Sequence, residues 1–105
     1  DGLARREFMY AEDLADFIIF TLPIFDQIPN YINVGVGKDW TINEYHDIIA
    51  KVVGYKGEYI HDLSKPSGVN RRLLDSSQTN RFGWKPKHSL ELGIKKTYEF
   101  YLKQL

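Results

Sequence analysis

The sequence predicts a mixed α/β fold, about half helical with a few short strands, in one domain of residues 1–105. Two segments, after Thr41 and after Ser89, repeat apolar residues with helical spacing. Between them lie short runs rich in β-branched and aromatic residues, separated by Gly and Pro. With 43% apolar and 14% aromatic residues the chain can build a core, although its small size predicts marginal stability.

A strand and a helix are predicted at the start of the chain. Residues 6–10 carry the aromatic side chains typical of a short strand. Glu12 and Asp13 then place negative charge in the first turn of a helix over residues 11–22, where the helix dipole stabilises it. This helix is apolar on most sides, so we expect it to be buried on most sides. Pro23 should end or kink it.

The middle of the chain contains the clearest helix signal. Residues 31–35 are typical of a strand, and residues 36–39 of a loop. Thr41 and Glu44 have the spacing of a capping box, in which each residue satisfies the other's free backbone N–H group. An apolar stripe follows, and Gly54 ends the helix.

The C-terminal half is predicted to contain more loop. Its elements are, in order, a strand at 58–61, a polar loop at 64–70, an extended segment at 71–75, a short helix from Ser76 or Ser77 to Gly83, and a helix from Ser89. The strands are too few and scattered to close a sheet of their own. We therefore expect at least one to join a sheet formed mostly by sequence outside this chain. The start at Asp1, without an initiator Met, also indicates a piece of a longer protein.

Composition excludes several classes of function. Fourteen basic and fourteen acidic residues give no net charge, which argues against a nucleic-acid or anionic-membrane partner. The absence of cysteine excludes disulfides and thiolate chemistry. The longest apolar run, residues 17–22, is far too short to span a bilayer. The sequence therefore predicts a soluble, cytoplasmic chain.

Few residues suggest catalysis or cofactor binding. A Gly-Val-Gly sequence at 35–37 has Trp40 where a third dinucleotide-binding glycine would fall, so it indicates a plain turn. His46, His61 and His88 lie far apart in sequence and do not have the spacing of a zinc site. We expect these histidines to be structural or exposed. No residue pair forms a convincing nucleophile with its base.

The arginine residues are the feature of the composition that suggests a binding function. The pairs at residues 5–6 and 71–72 stand out in an otherwise neutral chain. Guanidinium groups present paired donors that match phosphate oxygens, so the pairs suggest anion recognition. Ordinary surface ion pairing, with residues such as Glu7 or Asp75, is the alternative that spacing alone leaves open.

Longer motifs carry a family resemblance. Residues 5–15, Arg-Arg-Glu-Phe-Met-Tyr-Ala-Glu-Asp-Leu-Ala, and 31–37, Tyr-Ile-Asn-Val-Gly-Val-Gly, resemble extended short-chain dehydrogenase/reductases that act on nucleotide sugars. The remaining motifs resemble the GDP-L-fucose synthase family more specifically; they lie at residues 52–57, 64–68, 71–75, 83–86, 89–91 and 97–102. Their order and spacing hold across nearly the whole chain.

The resemblance implies an α/β, Rossmann-type parent enzyme of which this chain is the C-terminal, substrate-binding domain. Such enzymes epimerise a GDP-4-keto-6-deoxy-mannose at C3 and C5 and reduce its 4-keto group with NADPH. The family's catalytic Ser, Tyr-x-x-x-Lys, Cys and His lie upstream, in a nucleotide-binding domain outside this chain. None of the seven tyrosines here has Lys four positions later. We therefore expect no catalytic, cofactor-binding or metal residue in this chain, and no turnover by it alone.

The resemblance also implies which residues bind substrate. Arg6 matches the family arginine that contacts the nucleotide diphosphate, and Arg72 replaces the usual lysine before Leu-Leu-Asp. Ser67 stands where the substrate-binding loop of the family has Asp, which alters that contact. Trp84 occupies a family-wide position that packs rather than binds. The implied partners are a GDP-sugar and, for the parent, a second copy of itself; the isolated chain is expected to be monomeric or to self-associate.

Three alternatives stay open. The ligand could be a related GDP-4-keto sugar, such as a 6-deoxy-heptose intermediate, with or without epimerase activity in the parent. The parent could instead be another nucleotide-sugar epimerase or dehydratase. From a different class, the chain could be a non-catalytic interaction module whose apolar helix at residues 11–22 docks on a partner.

Overall fold

The computed structural model describes residues 1–105 and contains four α-helices and one three-stranded sheet. The helices are Ala11–Thr21 (α1), Ile42–Val53 (α2), Ser77–Arg81 (α3) and Leu90–Leu102 (α4). The strands are Arg5–Arg6 (β1), Trp40–Thr41 (β2) and Arg71–Arg72 (β3). A 3₁₀ segment, Leu22–Gln27, continues from α1 and contains Pro23. Helical residues make up 45% of the chain, which confirms the predicted mixed fold.

The sheet is small, and β1 is its central strand. β1 pairs antiparallel with β2 and parallel with β3, so that Arg5 lies opposite Thr41 on one side and Arg71 on the other. The N–H of Arg5 donates to the carbonyl oxygen of Asn70 at 2.7 Å. Since each strand has only two residues, few ladder hydrogen bonds hold the sheet together, and side chains must supply much of its stability.

The helix caps are as predicted. The hydroxyl of Thr41 accepts from the N–H of Glu44 at 3.1 Å, and the Glu44 carboxylate accepts from the N–H of Thr41 at 2.6 Å. Gly54 ends α2 with a φ of 76°, a left-handed conformation that favours glycine. Ser89 caps α4 by accepting from the N–H of Leu92 at 3.2 Å. The capping box and the last helix are thereby confirmed.

Two aromatic contacts form the core. Tyr45 of α2 is buried against Phe8, with ring centres 4.7 Å apart, and its hydroxyl accepts from the N–H of Phe8 and donates to the carbonyl oxygen of Arg6. Trp84 is buried edge-on against Phe17 of α1 at 5.2 Å. These contacts join α1 and α2 to the rest of the chain. The prediction that Trp84 packs within the fold is confirmed.

Asp13 does more than stabilise the start of α1. Its carboxylate is only 1% exposed and accepts from the N–H groups of Lys87 and His88 at 3.0 and 3.2 Å. His88 Nδ1 lies 2.8 Å away and carries the hydrogen of that bond, because an ionised carboxylate only accepts. Burial raises the pKa of Asp13, but the bonds from His88 and the backbone outweigh it and leave the pKa lowered. Asp13 thus ties α1 to the segment before α4.

Three strand predictions were wrong. Residues 31–35 and 58–61 form no strand, and the first strand occupies Arg5–Arg6 rather than residues 6–10. Neither segment pairs with a strand of the sheet, and the side chains of Tyr31 and Ile60 are 85% and 95% exposed. An alternating apolar pattern forms a strand only when a partner strand supplies hydrogen bonds. The sequence also missed β2, which directly precedes α2.

The burial expected for α1 is not seen either. The helix forms over almost the predicted residues, but Ile18, Ile19 and the adjoining Leu22 remain more than half exposed. One face of α1 therefore packs on Trp84 while another stays apolar and uncovered. No helix of the structure is both long and apolar enough to cross a bilayer.

We predict that Asp13→Ala lowers the free energy of unfolding by about 1–3 kcal/mol, because it leaves buried N–H groups without an acceptor. Urea unfolding followed by circular dichroism measures this loss. The matched control is Asp47→Ala, an exposed position on α2 without an ion pair, for which the change should stay within about 0.5 kcal/mol. Equal losses in the two variants would contradict the role given to Asp13.

Candidate functional site

Arg6 and Arg72 lie side by side on neighbouring parallel strands. The register pairs Arg6 of β1 with Arg72 of β3, and paired strands run about 4.8 Å apart. Side chains alternate between the two faces of a strand, so this arginine pair lies on the face opposite to Arg5 and Arg71. Two stretches separated by 65 residues of sequence are thereby brought together.

Asp39 neutralises the other two arginines. Its carboxylate is buried, with 4% of the side chain exposed, and accepts from Arg5 Nε at 2.9 Å through one oxygen and from Arg71 Nε through the other. The Arg71 hydrogen bond, aided by Arg5, lowers the pKa of Asp39 although desolvation opposes the shift. Ion pairing thus does explain Arg5 and Arg71, but through Asp39 and not through Glu7 or Asp75.

No carboxylate forms an ion pair with Arg6 or Arg72. Neither side chain has an acidic group within 4.0 Å, and Arg6 Nη1 donates only to the carbonyl oxygen of Arg5 at 2.7 Å. Arg72 is exposed, and Arg6 is half-buried. Two arginines at paired strand positions, neither in an ion pair, create a local positive potential of the kind that attracts an anion with several oxygens.

The loop at residues 64–70 reaches the same place. Gly68 has a φ of 70°, and a Cβ atom at this position would lie 3.8 Å from Arg6 Nη2. Ser67, exposed and adjacent in sequence, therefore belongs to the segment beside Arg6. The structure brings Arg6, Arg72 and the loop of Ser67 to one region. Their role in binding stays a prediction.

Glu7 shapes a cavity next to Arg72. One carboxylate oxygen accepts from the N–H of Gly37 at 2.7 Å, and the other accepts from the N–H of Leu74 at 2.9 Å. Glu7 thus joins the segments that follow β1 and β3. The cavity has a volume of about 340 Å³ and is lined by Glu7, Met9, Val34, Gly35, Arg72, Leu73 and Leu74. This role was not predicted from the sequence, because it depends on backbone groups far from Glu7 along the chain.

The Gly-Val-Gly turn does not fit a dinucleotide. The N–H of Gly37 already donates to Glu7, and a Cβ atom at Gly35 would lie 2.5 Å from the Glu7 carboxylate. A pyrophosphate brought to this turn would meet that negative charge. No helix begins directly after the turn either, since α2 starts at Ile42. A side chain at position 35 would push the Glu7 carboxylate away from its present place.

A larger cavity lies away from the arginines. It has a volume of about 870 Å³ between α2, α4 and the segment after β1, and residues such as Trp40, Ile94 and Tyr98 make its lining mostly apolar. It contains neither Arg6 nor Arg72. No cluster of acidic and histidine side chains in the chain could hold a metal ion.

Comparison with known proteins identifies curated relatives. No family model matches the chain. It is 54% identical over 104 residues to the GDP-L-colitose synthase of Yersinia pseudotuberculosis, covering 99% of this chain and 34% of the relative. It is 46% identical over 102 residues to the GDP-L-fucose synthase of Azorhizobium caulinodans, covering 97% and 33%. The chain thus spans about a third of the length of the curated relatives it matches.

Solved structures similar to this chain are also named as enzymes of GDP-sugars. A GDP-6-OMe-4-keto-L-xylo-heptose reductase from C. jejuni is 37% identical with a TM-score of 0.88, covering 99% of this chain and 32% of that one. A GDP-mannoheptose C4 reductase from Campylobacter jejuni with NADP bound is 38% identical with a TM-score of 0.81, covering 96% and 32%. The predicted resemblance is confirmed: the homologues are GDP-L-fucose and GDP-L-colitose synthases, and the fold matches part of an extended short-chain dehydrogenase/reductase.

We predict that stability falls with acidification through Asp39. Its pKa is lowered in the folded chain, so its contribution is fully present above the unfolded value of about 3.9 and is lost as pH falls below it. Chemical unfolding measured between about pH 6 and pH 3 should show this decline. Asp39→Asn should flatten the decline, whereas Asp47→Asn should not. An unchanged slope in Asp39→Asn would refute the prediction.

Proposed function

We propose that this chain, homologous over nearly its whole length to about a third of the GDP-L-fucose and GDP-L-colitose synthases, is the C-terminal GDP-sugar-binding part of an NADPH-dependent GDP-4-keto-6-deoxy-sugar epimerase/reductase. The observation that carries the proposal is the uncompensated pair of Arg6 and Arg72 on adjacent strands. Arginine suits a diphosphate because its planar guanidinium donates two parallel hydrogen bonds to phosphate oxygens.

The surroundings of the pair suit a nucleotide sugar. Gly68 has no side chain where the loop meets Arg6, so the backbone can approach a bound group closely. Ser67 supplies a hydroxyl beside it, which can donate to or accept from a sugar or phosphate oxygen. In this proposal Arg6 and Arg72 bind the diphosphate, and Ser67 contacts the nucleotide sugar.

We place the catalytic groups and the NADPH site in a nucleotide-binding domain that precedes residues 1–105. Supporting this division, the chain matches about a third of its relatives' length, and a related reductase was solved with NADP bound. The Gly-Val-Gly turn at residues 35–37 is blocked by the Glu7 carboxylate and does not fit the pyrophosphate of NADPH. Its fold should therefore deliver the substrate to chemistry performed by the other domain.

The shape of the chain supports this placement. Its accessible surface is 8013 Å², whereas a compact domain of 12.3 kDa exposes about 6,100 Å². The radius of gyration is 16.4 Å, against about 13 Å for a compact chain of this length. Excess surface of this size, including the apolar face of α1, is what a domain shows when its packing partner is removed.

The identity of the sugar is assigned less specifically than that of the nucleotide. The two curated relatives described above are colitose and fucose synthases, and the two solved structures described with them are named as GDP-heptose reductases. Each of these names contains a GDP-sugar, so the nucleotide diphosphate is the part of the ligand on which they agree. We therefore assign GDP as the recognised group and a 4-keto-6-deoxy-hexose as the first sugar to test.

A second candidate function rests on α1. Its exposed side chains Leu14, Ile18 and Ile19, together with the adjoining Leu22, form the kind of apolar face that docks on another protein. A non-catalytic interaction module would use this face and would leave the arginine pair without a ligand. Titration of GDP into the full-length protein separates the two functions, because a pure interaction module does not bind GDP.

We predict that Arg6→Ala and Arg72→Ala each weaken GDP binding to the full-length protein by about 1.5–3 kcal/mol, the usual value for a hydrogen bond to a charged group. Isothermal titration calorimetry gives the dissociation constants. Arg81→Ala is the matched control, since Arg81 is exposed and makes no ion pair, and its affinity should not change. Unaltered affinity in both site variants would exclude the assignment.

We also predict NADPH-dependent reduction by the full-length protein. With a GDP-4-keto-6-deoxy-mannose substrate, NADPH absorbance should decline, and Arg72→Ala should raise the substrate concentration required because it removes a binding contact. The isolated chain of residues 1–105, added at the same concentration, should oxidise no NADPH. Turnover by this chain alone would contradict the proposed division of labour.

A further inference from the structure

Asp39 lies beneath the arginine pair and touches neither of its members. We propose that Asp39 is a positioning residue for this anion site, and that it acts on Arg72 through Arg71. The inference rests on the proposed function, since it assumes that Arg6 and Arg72 hold a diphosphate. Nothing in the sequence singled out Asp39, which lies at the end of a predicted loop.

The sheet by itself holds the two arginines only weakly. β1 and β3 have two residues each, so their ladder alone cannot fix the separation of Arg6 and Arg72 firmly. Asp39 accepts one hydrogen bond from each strand, from Arg5 of β1 and from Arg71 of β3. This bridge crosses the pair of strands directly behind the arginine pair and therefore sets its spacing.

Four guanidinium groups sit on two adjacent strands, and like charges at this distance repel one another. The buried carboxylate neutralises part of this charge on one face of the sheet and leaves Arg6 and Arg72 uncompensated on the other. The positive potential is thereby confined to the face where an anion can reach it. Because Asp39 is 4% exposed, it cannot contact that anion itself.

β1 and β3 depend on the Asp39 carboxylate to different degrees. Arg5 has acceptors besides the Asp39 carboxylate: the main-chain carbonyl oxygen of Asp39 at 2.8 Å and the Glu44 carboxylate at 3.8 Å. The Arg71 side chain has the Asp39 carboxylate as its sole acceptor. Asparagine offers one carbonyl oxygen in place of two carboxylate oxygens. Asp39→Asn should therefore release β3, which carries Arg72, and leave β1 and Arg6 in place.

A double-mutant cycle on the full-length protein tests this asymmetry, with GDP as the probe and calorimetry as the readout. Asp39→Asn should raise the dissociation constant about tenfold, as expected when one charge-assisted contact is weakened. In the Arg72→Ala background the same change should have almost no further effect. In the Arg6→Ala background it should again cost about tenfold. General destabilisation would affect the two backgrounds equally.

Two further variants complete the test. Arg71→Gln breaks the same bridge from the other side and should reproduce the pattern, which keeps the inference testable if Asp39→Asn does not fold. Asp47→Asn, on the exposed side of α2, should leave the affinity unchanged. Circular dichroism and thermal unfolding show which variants are folded at the assay temperature.

The outcomes distinguish the two proposals. If the wild-type protein does not bind GDP, the proposed function fails and this inference fails with it. If Arg72→Ala weakens GDP binding while Asp39→Asn and Arg71→Gln do not, only the positioning role is overturned. Equal losses from Asp39→Asn in both arginine backgrounds also overturn it. The predicted asymmetry between Arg6 and Arg72 supports both.

Discussion

The ion pairs between Asp39 and two arginines are the interaction on which the rest of this structure depends. All three strands meet at that carboxylate: β2 follows it in sequence, and β1 and β3 each contribute an arginine to it. Removing a carboxylate from water is costly unless charge and hydrogen bonds replace the lost hydration. Here two guanidinium groups do so. The interaction fixes a sheet too short to hold its own register.

Local features were the part of the fold that the sequence could predict. The capping box of Thr41 and Glu44, the cap at Ser89 and the stop at Gly54 depend on neighbouring residues, and the structure confirms them. The strand prediction at residues 31–35 failed because a strand is completed by a partner, and no other segment of this chain supplies one. The sequence pattern showed which residues can form a strand, but it did not show whether another segment of the chain pairs with them.

The candidate site, too, could be predicted only in part from the sequence. Arginine chemistry and family motifs indicated Arg6, Ser67 and Arg72 from the sequence. The structure adds that Arg6 and Arg72 are register partners, which sequence spacing cannot show. Asp39 and Glu7 were missed because both act on groups distant in sequence: Arg71 lies 32 residues from Asp39, and Leu74 lies 67 residues from Glu7. Such roles are visible only once the chain is folded.

The hydrogen bond between Asp13 and His88 joins residues 75 positions apart, and the bond between Glu7 and Leu74 spans 67 positions. Together they connect the N-terminal residues of the chain to its last third. During synthesis on the ribosome, the N-terminal segment must therefore wait until residues 71–88 have emerged before it can reach its native contacts. Until then, Phe17 of α1 lacks Trp84, the aromatic ring on which it packs in the folded chain. Contacts of such long sequence separation also slow folding, because loop closure precedes the gain from packing. The chain is thus exposed to chaperones and proteases for longer than a domain built from local contacts.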